Sequence, residues 1–180
     1  MQINKNLFTA TLLTIGGFAV VSANAADSSE FNITTTITAV CDVDASGASI
    51  SFTDIAAGRT GNEIGNQQSA GNISVKCSND APYIVNLTTA GNADSTTGEG
   101  VMIGSSGNAD TITYQLSSDA EGKFWGSTGA LGEDAEGNGV AGTGRGVSTP
   151  IAHPVYAKIT SSTDVKEDTY TDTITASIIY

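Results

Sequence analysis

The chain has 180 residues, with 19 Asp and Glu against 7 Lys and Arg and a formal net charge of −12. That acidity argues against nucleic acid or an anionic membrane as partner and fits an exported protein kept soluble by its charge. The chain is poor in Leu and charged helix formers, rich in Gly, Ser, Thr, Asn and Asp, and lacks any sustained 3.6-residue period, which points to an all-β domain.

Met1–Ala25 reads as a secretory leader. Lys5 gives the positive start, Leu7–Val21 is mostly apolar, and Ala23-Asn24-Ala25 fits the small-residue cleavage pattern, so the mature chain is expected to begin at Ala26. A membrane anchor is the weaker reading, because the apolar stretch is short and is broken by Thr11, Thr14 and Gly16-Gly17. No later segment approaches membrane-spanning length, so no direct membrane insertion is expected. What remains suits one domain with a core of its own.

Phe31, Ile33, Thr35 and Ile37 alternate with Asn32, Thr34, Thr36 and Thr38, the period of a strand with one apolar face. Further strands are expected at Ile50–Ile55, Ile73–Cys77, Tyr83–Thr88, Thr111–Leu116 and Val155–Thr160, with a short one at Phe124-Trp125 whose rings cover one end of the core. Polar loops are expected at residues 58–71, 91–100 and 126–148, the last with the acidic run Glu133-Asp134-Ala135-Glu136. The final strand places Ile174, Ala176, Ile178 and Tyr180 on one face and runs to the last residue, with no room for a strand after it. Alternating segments at both ends raise the question of what pairs with them, since open edges recruit other chains.

Cys41 and Cys77 are the only cysteines. In an oxidising compartment they most simply form one disulfide, which would stabilise the fold by roughly 3–4 kcal/mol; a metal pair lacks a nearby His or third Cys. Ile73, Val75 and Cys77 share a face, placing such a bridge in the core layer.

Candidate chemistry is sparse. His153, the single histidine, stands beside Pro154 at a strand entrance and reads as a structural residue, and no G-x-S-x-G elbow accompanies the many serines. Carboxylates cluster in Gly-rich loops, where solvated surface explains them better than a glycosidase pair. Asp42–Gly47 imitates the start of a calcium loop, but Thr53 replaces the bidentate Glu. Gly137–Gly142 matches G-x-G-x-x-G without the strand and helix that motif needs. The sequons at Asn32, Asn72 and Asn86 each fall in an expected strand. No catalytic residue, metal site or cofactor is expected; a structural or binding module is favoured over an enzyme.

Taken in order, Cys41, Asn72–Cys77, Tyr83–Leu87, Ile112–Leu116, Trp125-Gly126, Pro154–Tyr156 and the closing Tyr170-Thr171-Asp172-Thr173 resemble the spore coat protein U domain, a family that includes shaft subunits of archaic chaperone–usher pili. The chain departs from the family pattern at Asp168, where Gly is usual, and at Gly100-Val101, where a basic residue is common. The resemblance implies an incomplete immunoglobulin-like sandwich that lacks its last strand and is completed by donor-strand complementation. It divides the chain into a leader (1–25), an N-terminal donor segment running into the first strand (26–40) and the pilin sandwich (41–180). Phe31, Ile33, Thr35 and Ile37 become the donor, and Ile174, Ala176, Ile178 and Tyr180 the acceptor cleft strand. The implied partners are a periplasmic chaperone, an outer-membrane usher and identical or homologous subunits. The implied setting is export to the periplasm and assembly on the cell surface as a pilus (fimbrium) for attachment, cell adhesion and biofilm formation. Two other readings stand beside it: a secreted monomeric ligand- or carbohydrate-binding sandwich, in which residues 31–37 are an ordinary first strand, and a non-pilus extracellular coat protein.

Overall fold

The computed structural model describes residues 27–132 and 137–180; the expected leader Met1–Ala25 and the acidic run at 133–136 lie outside the described residues. Ile37–Tyr180 forms one compact unit. Its strands are β1 (Cys41–Asp44), β2 (Asn66–Cys77), β3 (Pro82–Thr89), β4 (Glu99–Ile103), β5 (Thr111–Ser117), β6 (Val140–Thr143), β7 (Ile151–Ile159) and β8 (Ile174–Ile179), with one helical turn, α1 (Gly61–Ile64). They form two antiparallel sheets, one in the order β1-β2-β7-β5-β4 and one in the order β6-β3-β8. The result is an immunoglobulin-like sandwich.

Alternation builds the core between the sheets. Ile73, Val75 and Cys77 from β2, Tyr83, Val85 and Leu87 from β3, Tyr114 and Leu116 from β5, and Val155 and Ala157 from β7 all point inward and are buried. Each large aliphatic or aromatic member contributes about 1.5–3 kcal/mol by leaving water. Trp125 is fully buried among them and its indole N–H donates to the Val85 carbonyl at 2.8 Å. Phe124 does not join it: it bridges to Ser117 and stays 55% exposed, so only one ring of the expected aromatic pair serves the core.

β3 is buried on both faces, with Ile84 at 2% and Asn86 at 4% exposure. A stretch expected as open loop covers its outer face. The Asn86 amide donates to the Gly129 carbonyl and accepts from the Gly129 N–H, both at 3.0 Å. A Cβ on Gly129 would lie 2.5 Å from the Ile84 methyl, so only glycine fits there. With both amide atoms engaged, Asn86 is no glycosylation acceptor. On the far edge of β3, beyond its pairing with β6, Leu87 N–H donates to Gly126 O at 2.9 Å. Every edge group named here has a partner, as burial demands.

Several expected elements differ. Residues 27–40 form no strand, and the strand expected at Ile50–Ile55 is unpaired and interrupted at Asp54. β4 and β6 arise where no strand was expected, and β2 begins at Asn66, inside an expected loop. β7 begins at Ile151, so His153 lies within the strand rather than at its entrance. Pro154 is tolerated in that central strand because β2 shifts register between Gln68 and Asn72 opposite it. The following Val155 N–H donates to the buried Ser69 hydroxyl at 3.2 Å instead.

Cys41 and Cys77 are direct cross-strand partners of β1 and β2 and are disulfide-bonded, closing a sequence separation of 36. Such a loop is worth about 4 kcal/mol in the chain-entropy account. Cys77→Ser is therefore expected to lower the urea midpoint by a shift equivalent to about 2–5 kcal/mol, and dithiothreitol to reproduce that shift in the wild type but not in the variant.

His153 faces inward, bonded through Nε2 to the Tyr83 hydroxyl at 2.9 Å, with its ring edge-on to Tyr83 and Trp125. Burial holds its pKa below the ordinary value near 6.5. The unfolded chain therefore takes the proton first, so stability is full above about 6.5 and falls as pH drops from there toward the folded value. The melting temperature should decline between pH 7.5 and 5.5, a range in which carboxylates stay ionised, and His153→Gln should flatten that slope.

Candidate functional site

β8 pairs with β3 through Ile84↔Ile179 to Thr89↔Ile174, and its other edge has no strand beside it among the described residues. Just before the strand, Ala90 N–H donates to Thr173 O at 2.9 Å. Antiparallel alternation then turns the backbone groups of Thr175, Ser177 and Ile179 toward β3 and those of Ile174, Ala176 and Ile178 toward the open edge. The side chains of the same three residues pack inward against the core, while Thr175 and Ser177 are exposed. Tyr180, grouped with them from the sequence, follows the end of β8 and is 53% exposed, without their inward packing.

Across the gap runs the segment that continues β1. A tight turn, with Ser46 N–H donating to Asp44 Oδ1 at 2.8 Å and Ala48 N–H to Ala45 O at 2.9 Å, leads into an extended stretch. Ala48, Ile50 and Phe52 pack inward from it. The Ser49 carbonyl accepts from Ala70 on β2 at 2.7 Å, but residues 50–55 make no hydrogen bond among the described residues. The stretch stops at Asp54, whose φ of 58° ends an extended run. Its residues have the alternation of a strand and no partner on the open side.

Between these two edges lies a groove with an apolar floor and walls that are polar as well as apolar. Three adjoining cavities of about 70, 390 and 590 Å³ follow it, all lined by Ile50. The smallest is floored by Ile73, Leu87 and Val155 beside Ile174 and Ala176. The middle one is lined by Met102, Tyr114 and Ala157, and the largest by Met102, Ile112 and Ile159. Core residues thus line cavities along one side of the sandwich while staying almost wholly buried in the single chain.

The wall leading into β8 is tied from within. Asp172 accepts from the Tyr114 hydroxyl and the Gly91 N–H, both at 2.8 Å, and from Thr173 N–H at 2.7 Å. Burial, then the bond to Asp172 and its charge, push the Tyr114 phenol far above its ordinary pKa, so it remains a donor at any working pH. Gly100 pairs with Tyr114 across β4–β5, and a Cβ there would sit 2.2 Å from the ring. Gly100 therefore has a steric reason.

Described by itself, the segment 27–36 is exposed throughout. Phe31 is 82% and Ile33 85% exposed, Thr35 is exposed, and Ile37, at the start of the compact unit, is 88% exposed. Of the groove residues, Ala48, Phe52, Met102, Ile112 and Ile159 were not singled out as site residues from the sequence. The Ala48-Ile50-Phe52 alternation was the available signal. Among the described residues no group of three or more His, Cys, Asp or Glu side chains is placed to hold a metal ion, and no helix is long and apolar enough to cross a membrane.

An antiparallel immunoglobulin-like sandwich whose β8 edge lies open beside a groove is the class of protein these features define. The family model of the Spore Coat Protein U domain matches residues 27–177, and the chain belongs to that family. Among solved structures, the chain is similar to one in the CsuC–CsuE chaperone–tip adhesion subunit pre-assembly complex from archaic chaperone-usher Csu pili of Acinetobacter baumannii, at 18% identity and a TM-score of 0.47. That likeness covers 81% of this chain and 40% of the other, so the chain spans less than half the length of that relative. No curated protein matches the sequence.

Proposed function

We propose that the chain is a structural subunit of an archaic chaperone–usher pilus, in which the N-terminal segment of one copy lies as an added strand in the groove of the next. The observation that carries this reading is the open β8 edge beside a slot lined by core residues. An added strand would bond to the free backbone groups of Ile174, Ala176 and Ile178 and drop every second side chain into the slot. Phe31, Ile33, Thr35 and Ile37 have that spacing, span roughly 20 Å when extended, and are exposed in the free chain. Each large apolar one gains about 1.5–3 kcal/mol on burial, and Thr35 is the weak member. The contact is head to tail and does not close on itself, so repetition gives a filament.

The same edge makes a lone subunit hazardous after export. A periplasmic chaperone occupying the groove, replaced at an outer-membrane usher by the next subunit's segment, answers that hazard. Assembly on the cell surface for attachment and biofilm formation is the corresponding role. Trp125, Tyr83 and Tyr114 are committed to the core, which leaves Phe31, Phe124 and Tyr180 as the largely exposed rings that a sugar-binding monomer would have to use.

The test uses the mature chain, residues 26–180, and a fluorescent peptide of residues 27–40. Expected are head-to-tail polymers of the chain in negative-stain electron microscopy, and saturable peptide binding that protects the amides of Ile174, Ala176 and Ile178 from hydrogen exchange. A chain that stays monomeric and leaves those amides unprotected at saturating peptide would overturn the proposal.

A further inference from the structure

The largest of the three groove cavities, about 590 Å³, is walled on one side by residues 165–171. Its floor of Met102, Ile112 and Ile159 is apolar, and a wall displaced onto that floor would close this end of the groove. The wall is nevertheless held to the β4–β5 turn by a dense set of bonds centred on one side chain. The Asp168 carboxylate accepts from Ser105 N–H at 2.9 Å, from the Ser105 hydroxyl at 2.6 Å, from the Asn108 amide at 2.7 Å and from Thr169 N–H at 2.8 Å. Asn108 also reaches the Tyr170 hydroxyl at 3.1 Å, which in turn donates to the Lys166 carbonyl at 2.7 Å. On either side the wall is tied again, by Lys166 N–H to Asp110 at 2.9 Å and by the reciprocal Ile103–Thr171 bridge.

We infer that Asp168 is a positioning residue for strand capture, pinning the 166–171 wall to the β4–β5 turn so that this end of the groove stands open before a strand arrives. The inference rests on the proposed strand addition and goes beyond it by naming what keeps the empty groove competent. All its donors are neutral hydroxyl, amide and backbone groups, and they hold the carboxyl well below the usual carboxylate range, the Ser105 side chain foremost and Asn108 next. The clamp is thus ionised and set at any pH where the protein works. If the wall closes part of the time, apparent affinity for the incoming strand is divided by the open fraction.

The experiment is run in an Ile33→Asp background, whose own donor segment does not fill a neighbour's groove, and compares that mature chain with Asp168→Ala and, as a milder loss, Ser105→Ala, each binding the fluorescent peptide 27–40. A second series carries the same peptide fused after Tyr180 through a flexible linker, so that the groove is filled. Asp168→Ala is expected to weaken and slow capture of free peptide roughly fivefold or more, with Ser105→Ala intermediate. In the fused series the variants should melt close to the parent, because the inserted strand itself props the wall. Capture at the parental rate would overturn the inference, as would a loss of melting temperature in the filled form equal to that in the empty one, which is what a merely structural role gives. Failure of the parent chain to bind peptide at all would instead overturn strand addition, and this inference with it.

Discussion

Replacing Ile33 by aspartate is expected to abolish polymers while leaving the subunit's own fold intact. Ile33 is 85% exposed in the free chain, so its loss removes no packing there. In a neighbour's groove the same side chain would be buried, and an aspartate would forfeit about 1.5–3 kcal/mol of apolar burial and add the cost of an unpaired carboxylate away from water. Together these exceed 4 kcal/mol, roughly a thousandfold in each head-to-tail contact, which multiplies along a filament. Thr34→Asp is the control, since Thr34 lies on the opposite face of the extended segment and should polymerise with little change. Ladders on unheated gels, and thermal melting of the subunit in complex with its chaperone, give the two readouts. A complete monomeric sandwich predicts the reverse: Ile33 would be core, and its replacement would unfold the domain. Wild-type ladders from Ile33→Asp, or collapse of the subunit itself, would refute the donor assignment.

The strands most legible in the sequence were those whose partners lie within the chain and whose alternation is uninterrupted, such as Tyr83–Thr88, Thr111–Leu116 and Ile174–Ile179. Ile50–Ile55 carries the same signal, yet sequence pattern reports which face a segment would bury, not whether a neighbour exists; here the open side of Ile50 and Phe52 has none. Phe31–Thr38 differs for a related reason, its residues being exposed and unpaired in the single chain. β6 was hidden because its four residues include Gly142, which exists to admit the Tyr83 ring across the pair: a Cβ there would lie 2.3 Å from it. β4 was masked likewise by Gly100 under Tyr114. Glycines that read as loop chemistry are, in both strands, the complement of an aromatic partner distant in sequence. The clamp at Asp168 was visible only as a departure from a family pattern, because its donors stand about 60 residues away in sequence, at Ser105 and Asn108.

The acceptor side gives the second large effect. Ile178 pairs with Val85, which is fully buried, and packs inward against the core from the edge of β8. Ile178→Asp should therefore act twice, weakening the subunit's own packing and placing a carboxylate where an added strand would remove the last water. Lost burial and an unpaired charge sum to about 3–5 kcal/mol, a large share of the 5–15 kcal/mol by which domains are stable. Recovered protein should fall sharply, and no chaperone should co-purify with what remains. The neighbouring Ser177→Asp separates this from a general intolerance of charge on β8, because Ser177 faces outward and is exposed. That variant should express, bind chaperone and polymerise nearly as the parent does. Equal damage from both substitutions, or normal chaperone co-purification with Ile178→Asp, would show that the face of β8 turned toward the groove is not the one that receives a partner.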